Sequence, residues 1–308
     1  MANRLSSKDI STLYEKISNW GRWGKEDERG ALNFITDAKR AAAAKLVKTG
    51  QSVSLALPLA TIVAPDNPTP VTHLMVETGF DSLTTPVPWA GDYFAIAPHG
   101  MANTHLDALC HMFHKGKMYN GFSAEEVGSH GARRCAIDVT REGIVSRGVL
   151  LDIPRLRKKN WMEPGDRIFP EELDAAEKAH GVKVEEGDVL LIRTGRSAMR
   201  KAKGAWDPTR VGAPGLDAGC LEWLHDRKIA VLGSDSASDV MPSGDSEHPL
   251  PIHVGTIVLM GVHLIDNADF DALSEACARA GRYEFLFSMR PLILERGTAS
   301  PVNPVAIL

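Results

Sequence analysis

Three apolar runs limit the fold more than any other feature of this chain. Gly148-Val-Leu-Leu-Asp-Ile153 and Asp188-Val-Leu-Leu-Ile-Arg193 are continuous rather than alternating, which suits strands covered on both faces. Ile229-Ala-Val-Leu-Gly-Ser-Asp235 reads as a third buried strand. Helical patterns lie between them: residues 170–180 separate the first two, and residues 217–227 lead into the third. Strands alternating with helices predict an α/β core. The periodicity places further helices at 9–18 (Ile10, Leu13 and Ile17 on one face, Ser7 as cap), 36–49 (ended by Gly50), 251–261 and 271–281. It places strands at Val53-Leu55-Leu57, at 135–139, and finally at 284–289. The Pro- and Thr-rich stretch 65–88 reads as substrate-side loops and short strands. No repeat, low-complexity tract or linker interrupts the pattern, and the best candidate break, 161–166, is only a turn. One domain spanning 1–308 is the expectation.

Composition excludes several function classes. The net charge of −4 comes from 39 acids against 35 bases, too balanced for a nucleic-acid surface. Met1-Ala-Asn-Arg-Leu-Ser-Ser lacks the apolar core of a signal peptide, and the densest apolar run, Ile257-Val-Leu-Met260, is far too short to span a bilayer. The four cysteines are scattered without metal or redox spacing, as buried, reduced thiols are. A soluble cytoplasmic protein follows, with no nucleic-acid or membrane partner. There is no Gly-x-Ser-x-Gly elbow and no dinucleotide-binding glycine loop.

The chemistry concentrates in His99-Gly-Met-Ala-Asn-Thr-His-Leu-Asp-Ala-Leu-Cys-His111, three histidines and a carboxylate within thirteen residues. That is the donor set a divalent metal needs. His105 and Asp107 share a face if the chain there is extended. Asp107 and His111 share one if it then turns helical. Apolar Tyr93-Phe-Ala-Ile-Ala97 on one side and Ala108-Leu-Cys110 on the other argue against exposure of the whole cluster. A buried carboxylate beside histidines must be paired or metal-bound. Asp235, at the end of a buried strand, is a weaker candidate, either orienting a ligand histidine or holding a turn. Trp20, Trp23 and Trp89 stand in loop-like contexts where an aromatic ring can wall a pocket for a flat ligand.

The same run resembles the signature His-x-Gly-Thr-His-x-Asp-x-x-x-His of the metal-dependent hydrolases called the cyclase family, which includes bacterial kynurenine formamidase and isatin hydrolase. Thr104, His105, Asp107 and His111 match in register; Met101 stands at the first histidine position and Asn103 at the glycine. His99 is the candidate to replace the missing ligand. Trp20-Gly-Arg-Trp-Gly24, Gly30-Ala-Leu-Asn33 and the closing Gly297-Thr-Ala-Ser-Pro-Val-Asn-Pro304 are similar to the opening and end of the family's longer members. The resemblance implies a three-layer β/β/α swivelling-type fold with a mixed sheet, and a homodimer or homotetramer. It implies one divalent ion, manganese or zinc, with room for a second, held by His99, His105, Asp107 and Asp266. It further implies His111 as the base and His253 at the metal or the developing oxyanion. The activity implied is hydrolysis of a small aromatic or cyclic substrate: opening a cyclic amide or lactone, or cleaving an aryl formamide. A lyase or ring-closing enzyme with the same residues, and a metal-poor binding protein on the same fold, are the alternatives.

Overall fold

The computed structural model describes residues 4–308. Nine strands make one mixed sheet: β1 (Ser52–Ser54), β2 (His105–Asp107), β3 (Ile144–Asp152), β4 (Val189–Arg193), β5 (Val231–Ser234), β6 (His263–Asp266), β7 (Glu284–Met289), β8 (Ala299–Pro301) and β9 (Val305–Ile307). Their spatial order is β1-β9-β7-β3-β4-β5-β6-β2-β8. The central four, β3 to β6, are parallel neighbours, and each pairing outside them is antiparallel. The mixed α/β fold with a large curled sheet is therefore present.

The parallel centre explains the apolar runs. β4, β5 and β6 are buried at every residue, as strands covered on both faces must be. β7 alternates instead, burying Phe285, Phe287 and Met289. Helices Asp37–Ala44 and Pro170–His180 both pack on β3. The second opens with Pro170 at its first position, accepts Phe169 N–H on the Glu172 carboxylate at 3.1 Å, and ends at left-handed Gly181. All four cysteines are free and buried. Among the described residues no helix is long and apolar enough to cross a membrane.

Several expectations need correction. The first helix is Ser7–Lys16, and Ser6 rather than Ser7 caps it, in a reciprocal box with Asp9. The second ends at Ala44, six residues short of Gly50. Residues 135–139 are no strand: Cys135 takes a positive φ of 56° and Ile137–Thr140 is a 3-10 turn. β7 is not the last strand, since β8 and β9 follow it. The helix expected over 251–261 starts as one at Pro251–His253 and then widens into a π-helix, Val254–Met260, buried from Gly255 onward. Tyr93 and Phe94 do not bury the histidine cluster; they lie half-exposed in a two-stranded arm, Thr72–Glu77 with Gly91–Ala95.

The N-terminal motif backs that π-helix. Carbonyls at a helix end have no partner within the helix. Asn19 N–H donates to Leu259 O at 2.9 Å, Asn19 Nδ2 to Met260 O at 3.0 Å, and Trp20 Nε1 to Val258 O at 2.7 Å. Ala31 N–H reaches Gly261 O at 2.7 Å, and a Cβ on Gly30 would sit 2.1 Å from that oxygen. Gly30 is thus needed for close approach.

Candidate metal centre

β2 runs antiparallel to β6 with His105 directly opposite Asp266. Partners across a ladder point to the same face, and so does Asp107 two residues further on. Three buried ligand-type side chains are therefore aimed together by strand geometry alone. His111 arrives differently from expectation. No helix follows β2; a turn closed by His111 N–H on Ala108 O (3.0 Å) swings the ring back, where it stacks on His99 with centroids 3.7 Å apart. His253 comes from the last residue of the short helical turn before the π-helix.

The side chains converge on Asp107. Its Oδ1 is 2.9 Å from His99 Nδ1 and 3.4 Å from His105 Nε2; its Oδ2 is 4.0 Å from His253 Nε2. His253 Nε2 is also 3.2 Å from Asp266 Oδ2. Two overlapping groups, His99/Asp107/His111 and His105/Asp107/Asp266, each hold their ligand atoms within 4.8 Å of one another.

The hydrogen bonds around the rim select tautomers. His105 Nδ1 donates to Asn103 O at 2.9 Å; a carbonyl only accepts, so in the neutral ring it is Nε2 that turns a lone pair on the Asp107 oxygen. Two acceptors then face each other there unless a proton or a metal ion lies between them. Asp107 Oδ1 and His99 Nδ1 are both buried and neither has an aligned hydrogen-bond partner. Orphaned buried atoms of this kind are costly. Together they fit a divalent ion.

Electrostatics point the same way. Burial works against the ionised form of Asp107, yet His105, His99 and His111 hold its carboxyl well below the usual range. Burial pushes His111 down to about 4, against the pull of Asp107, so its ring is neutral near pH 7. Burial alone would depress His253 as well, but Asp266 and Asp239 lift it well above an ordinary imidazole.

Asp239 is the functional residue that sequence reasoning missed. Its carboxylate accepts Ile252 N–H at 2.7 Å and His253 N–H at 3.0 Å, capping the helical turn, and also takes His253 Nδ1 at 2.6 Å. One side chain fixes both the backbone and the ring. Ser238 Oγ donates to Asp266 Oδ1 at 3.1 Å, and Thr298 Oγ1 lies 3.1 Å from His99 Nε2. The available signal was the polar run Ser234 to Asp239 after a buried parallel strand, where open α/β sheets place functional groups. Asp235 in that run holds a loop instead, accepting Thr194 N–H and Oγ1 at 2.7 Å and Gly195 N–H at 2.8 Å.

Trp20 is committed to the Val258 carbonyl, Trp23 packs edge-on against Phe34 at 4.9 Å, and Trp89 sits half-exposed in the arm. Among the described residues no hydrogen bond or ring contact joins them to the cluster. Met101 lines a neighbouring cavity, while His99 Nδ1 lies 2.9 Å from Asp107 Oδ1.

Comparison with known proteins now decides the family. The Cyclase family model matches residues 34–239, and a crystal structure described as a novel cyclase is 31% identical over 96% of this chain and 99% of its own, with a TM-score of 0.86. The chain belongs to the cyclase family. Among other solved structures of similar fold, isatin hydrolase A from Labrenzia aggregata, bound to benzyl benzoate, is 18% identical over 86% of this chain and 94% of its own (TM-score 0.61). A predicted metal-dependent hydrolase from Bacillus stearothermophilus is 16% identical over 83% and 97% (TM-score 0.52). At those identities the likeness is one of fold. No protein of curated function matches this cyclase-family chain in sequence.

Proposed function

We propose that this cyclase-family protein is a metal-dependent hydrolase that opens a small cyclic amide or lactone, or cleaves an aryl formamide. The observation that carries the reading is the convergence of His99 and His105 on a buried Asp107 oxygen that has no aligned donor. His99, His105, Asp107 and Asp266 would hold one divalent ion, manganese or zinc by their nitrogen and oxygen donors. When bound, such an ion polarises a substrate carbonyl and acidifies water. His111, neutral because it is buried, accepts the proton from the attacking water and returns it to the leaving nitrogen or oxygen. His253, its Nδ1 held by Asp239, presents Nε2 on the Asp107 and Asp266 side, where it donates to the developing oxyanion.

The protein is further proposed to act as a homo-oligomer in a reducing, cytoplasmic setting, consistent with four buried free thiols. The two-stranded arm leaves Leu74, Val76, Phe80, Leu83 and Phe94 more than half exposed, with Phe80 at 83%. Isolated ribbons are not stable in water. Exposed apolar surface of this kind marks protein–protein contact sites. A second copy of the chain is the proposed occupant, and light scattering at micromolar concentration reads it directly.

The activity test is turnover of lactams of the isatin type, lactones and aryl formamides by metal-loaded enzyme in ¹⁸O-labelled water. Label in the carboxylate product supports hydrolysis. Ring closure without label, or no turnover across all three classes, contradicts it.

A further inference from the structure

A cavity of about 470 Å³ lies beside the candidate metal centre but contains none of its side chains. Its size is that of small-ligand pockets. Part of its wall is apolar, with Leu57, Leu59, Ile62 and Met101; another part carries Arg196 and Arg200. Met101 and Ala102 lead directly into Asn103 and β2, so covalent reach keeps this wall within about 14 Å of His105.

Arg196 is the informative residue. It is 1% exposed, yet its Nε–H has no acceptor. Nη2 donates to Met101 O at 2.7 Å and to Asp66 Oδ2 at 3.2 Å. That same Asp66 also takes Arg200 Nε at 2.6 Å and Nη2 at 3.0 Å, so two guanidiniums share one carboxylate. Lys201 adds a further cation, paired with Asp269 and Asp271 at 3.1 and 3.3 Å. The one carboxylate in the lining, Asp235, has its oxygens committed to Thr194 and Gly195. The three cations are thus each held by carboxylates outside the lining, and the Arg196 Nε–H is left over. A buried donor without an acceptor is costly, and a charge-assisted hydrogen bond is the strong way to satisfy it.

We infer that this cavity is a second binding site, for a small carboxylic acid with an apolar body: the carboxylate meets Arg196 and the body fills the wall of Leu57, Leu59 and Met101. Water alone would satisfy Nε–H but leave that wall without contact. Hydrolysis of an amide or lactone leaves a carboxylate, so the reaction proposed above would generate ligands of this class; the binding itself does not depend on that reaction.

The test is calorimetric titration of the full-length protein with phenylacetate, with phenylacetamide as the neutral comparison, before and after treatment with a chelator. The expected result is phenylacetate binding at least about tenfold tighter than phenylacetamide, the scale of one charged hydrogen bond, and unchanged by the chelator. Ala64→Phe, which fills the cavity from a side chain that makes no hydrogen bond, should weaken binding about tenfold or more while its thermal melt stays native-like. Arg196→Lys should weaken phenylacetate more than phenylacetamide. Binding that disappears with the chelator and survives Ala64→Phe assigns the carboxylate to the metal centre and overturns the inference. Absence of phenylacetate binding to either form overturns it as well. Neither result bears on whether the metal-loaded enzyme turns over a lactam.

Discussion

Asp107 and Asp152 are both buried carboxylates on strands of one sheet, and their surroundings differ in kind. Asp152, at the end of β3, is answered entirely from within the chain: Arg193 Nη1 at 3.1 Å, Arg155 N–H at 3.1 Å, and the Ser274 hydroxyl. Burial opposes its ionisation, but Arg193 and these donors keep its carboxyl below the usual range. Asp107 has only imidazoles around it, one presenting a lone pair, and an oxygen without an aligned donor. A carboxylate that serves structure brings its own permanent cation. One that leaves the cation to be supplied from outside marks a binding site.

Breaking each side of the contrast should give opposite signatures. His111→Ala, which removes the proton acceptor but not the carboxylate, should lower turnover about 10²- to 10⁴-fold and retain bound metal. Steady-state rates with metal content on the same sample check this, and full turnover in the variant sinks the role. Asp152→Ala removes one of the two carboxylates that hold buried Arg193 and leaves Asp271 as its remaining partner, so unfolding in urea should show a loss of about 1–3 kcal/mol. Metal content of the folded fraction should stay unchanged. Asp239→Asn keeps an acceptor for the backbone but weakens the grip on His253 Nδ1; activity should fall about 10- to 100-fold with little change in stability.

The smallest effect concerns His263, which lies on the same strand as Asp266 but has both ring nitrogens buried without a partner. Burial, only partly offset by Asp107, pushes it down to about 3. Between that value and about 6.5 the unfolded chain binds a proton that the folded one does not, so this residue makes stability rise with pH across that window and contributes no slope above it. In chelator-treated protein, His263→Phe should flatten the profile below pH 6.5 by up to about 1.4 kcal/mol per pH unit. An unchanged profile would show that His263 is hydrated rather than dry.

Legibility from sequence followed how many faces an element buries. β3, β4 and β5 were readable because both faces are covered and the apolar signal is continuous. β6 was not, because two of its four residues, His263 and Asp266, are polar and the segment looks like a loop after an apolar run. β8 ends on Pro301, a residue the sheet tolerates here because β8 is an edge strand. The residues gathered around Asp107 were legible as a set, His253 and Asp266 through family resemblance. The route by which His111 arrives was not, since a turn and a helical start both return a ring four residues on. Asp239 was hidden because its role depends on a helix start thirteen residues later, which local pattern does not connect.

The most direct measurement is metal content by plasma mass spectrometry on the purified protein, alongside His105→Ala and Asp107→Asn. The account predicts close to one manganese or zinc per chain in the native protein and loss of that ion in both variants, each still folded by circular dichroism. Native protein that is metal-free and takes up no manganese or zinc on dialysis would contradict it, as would an ion retained by both variants.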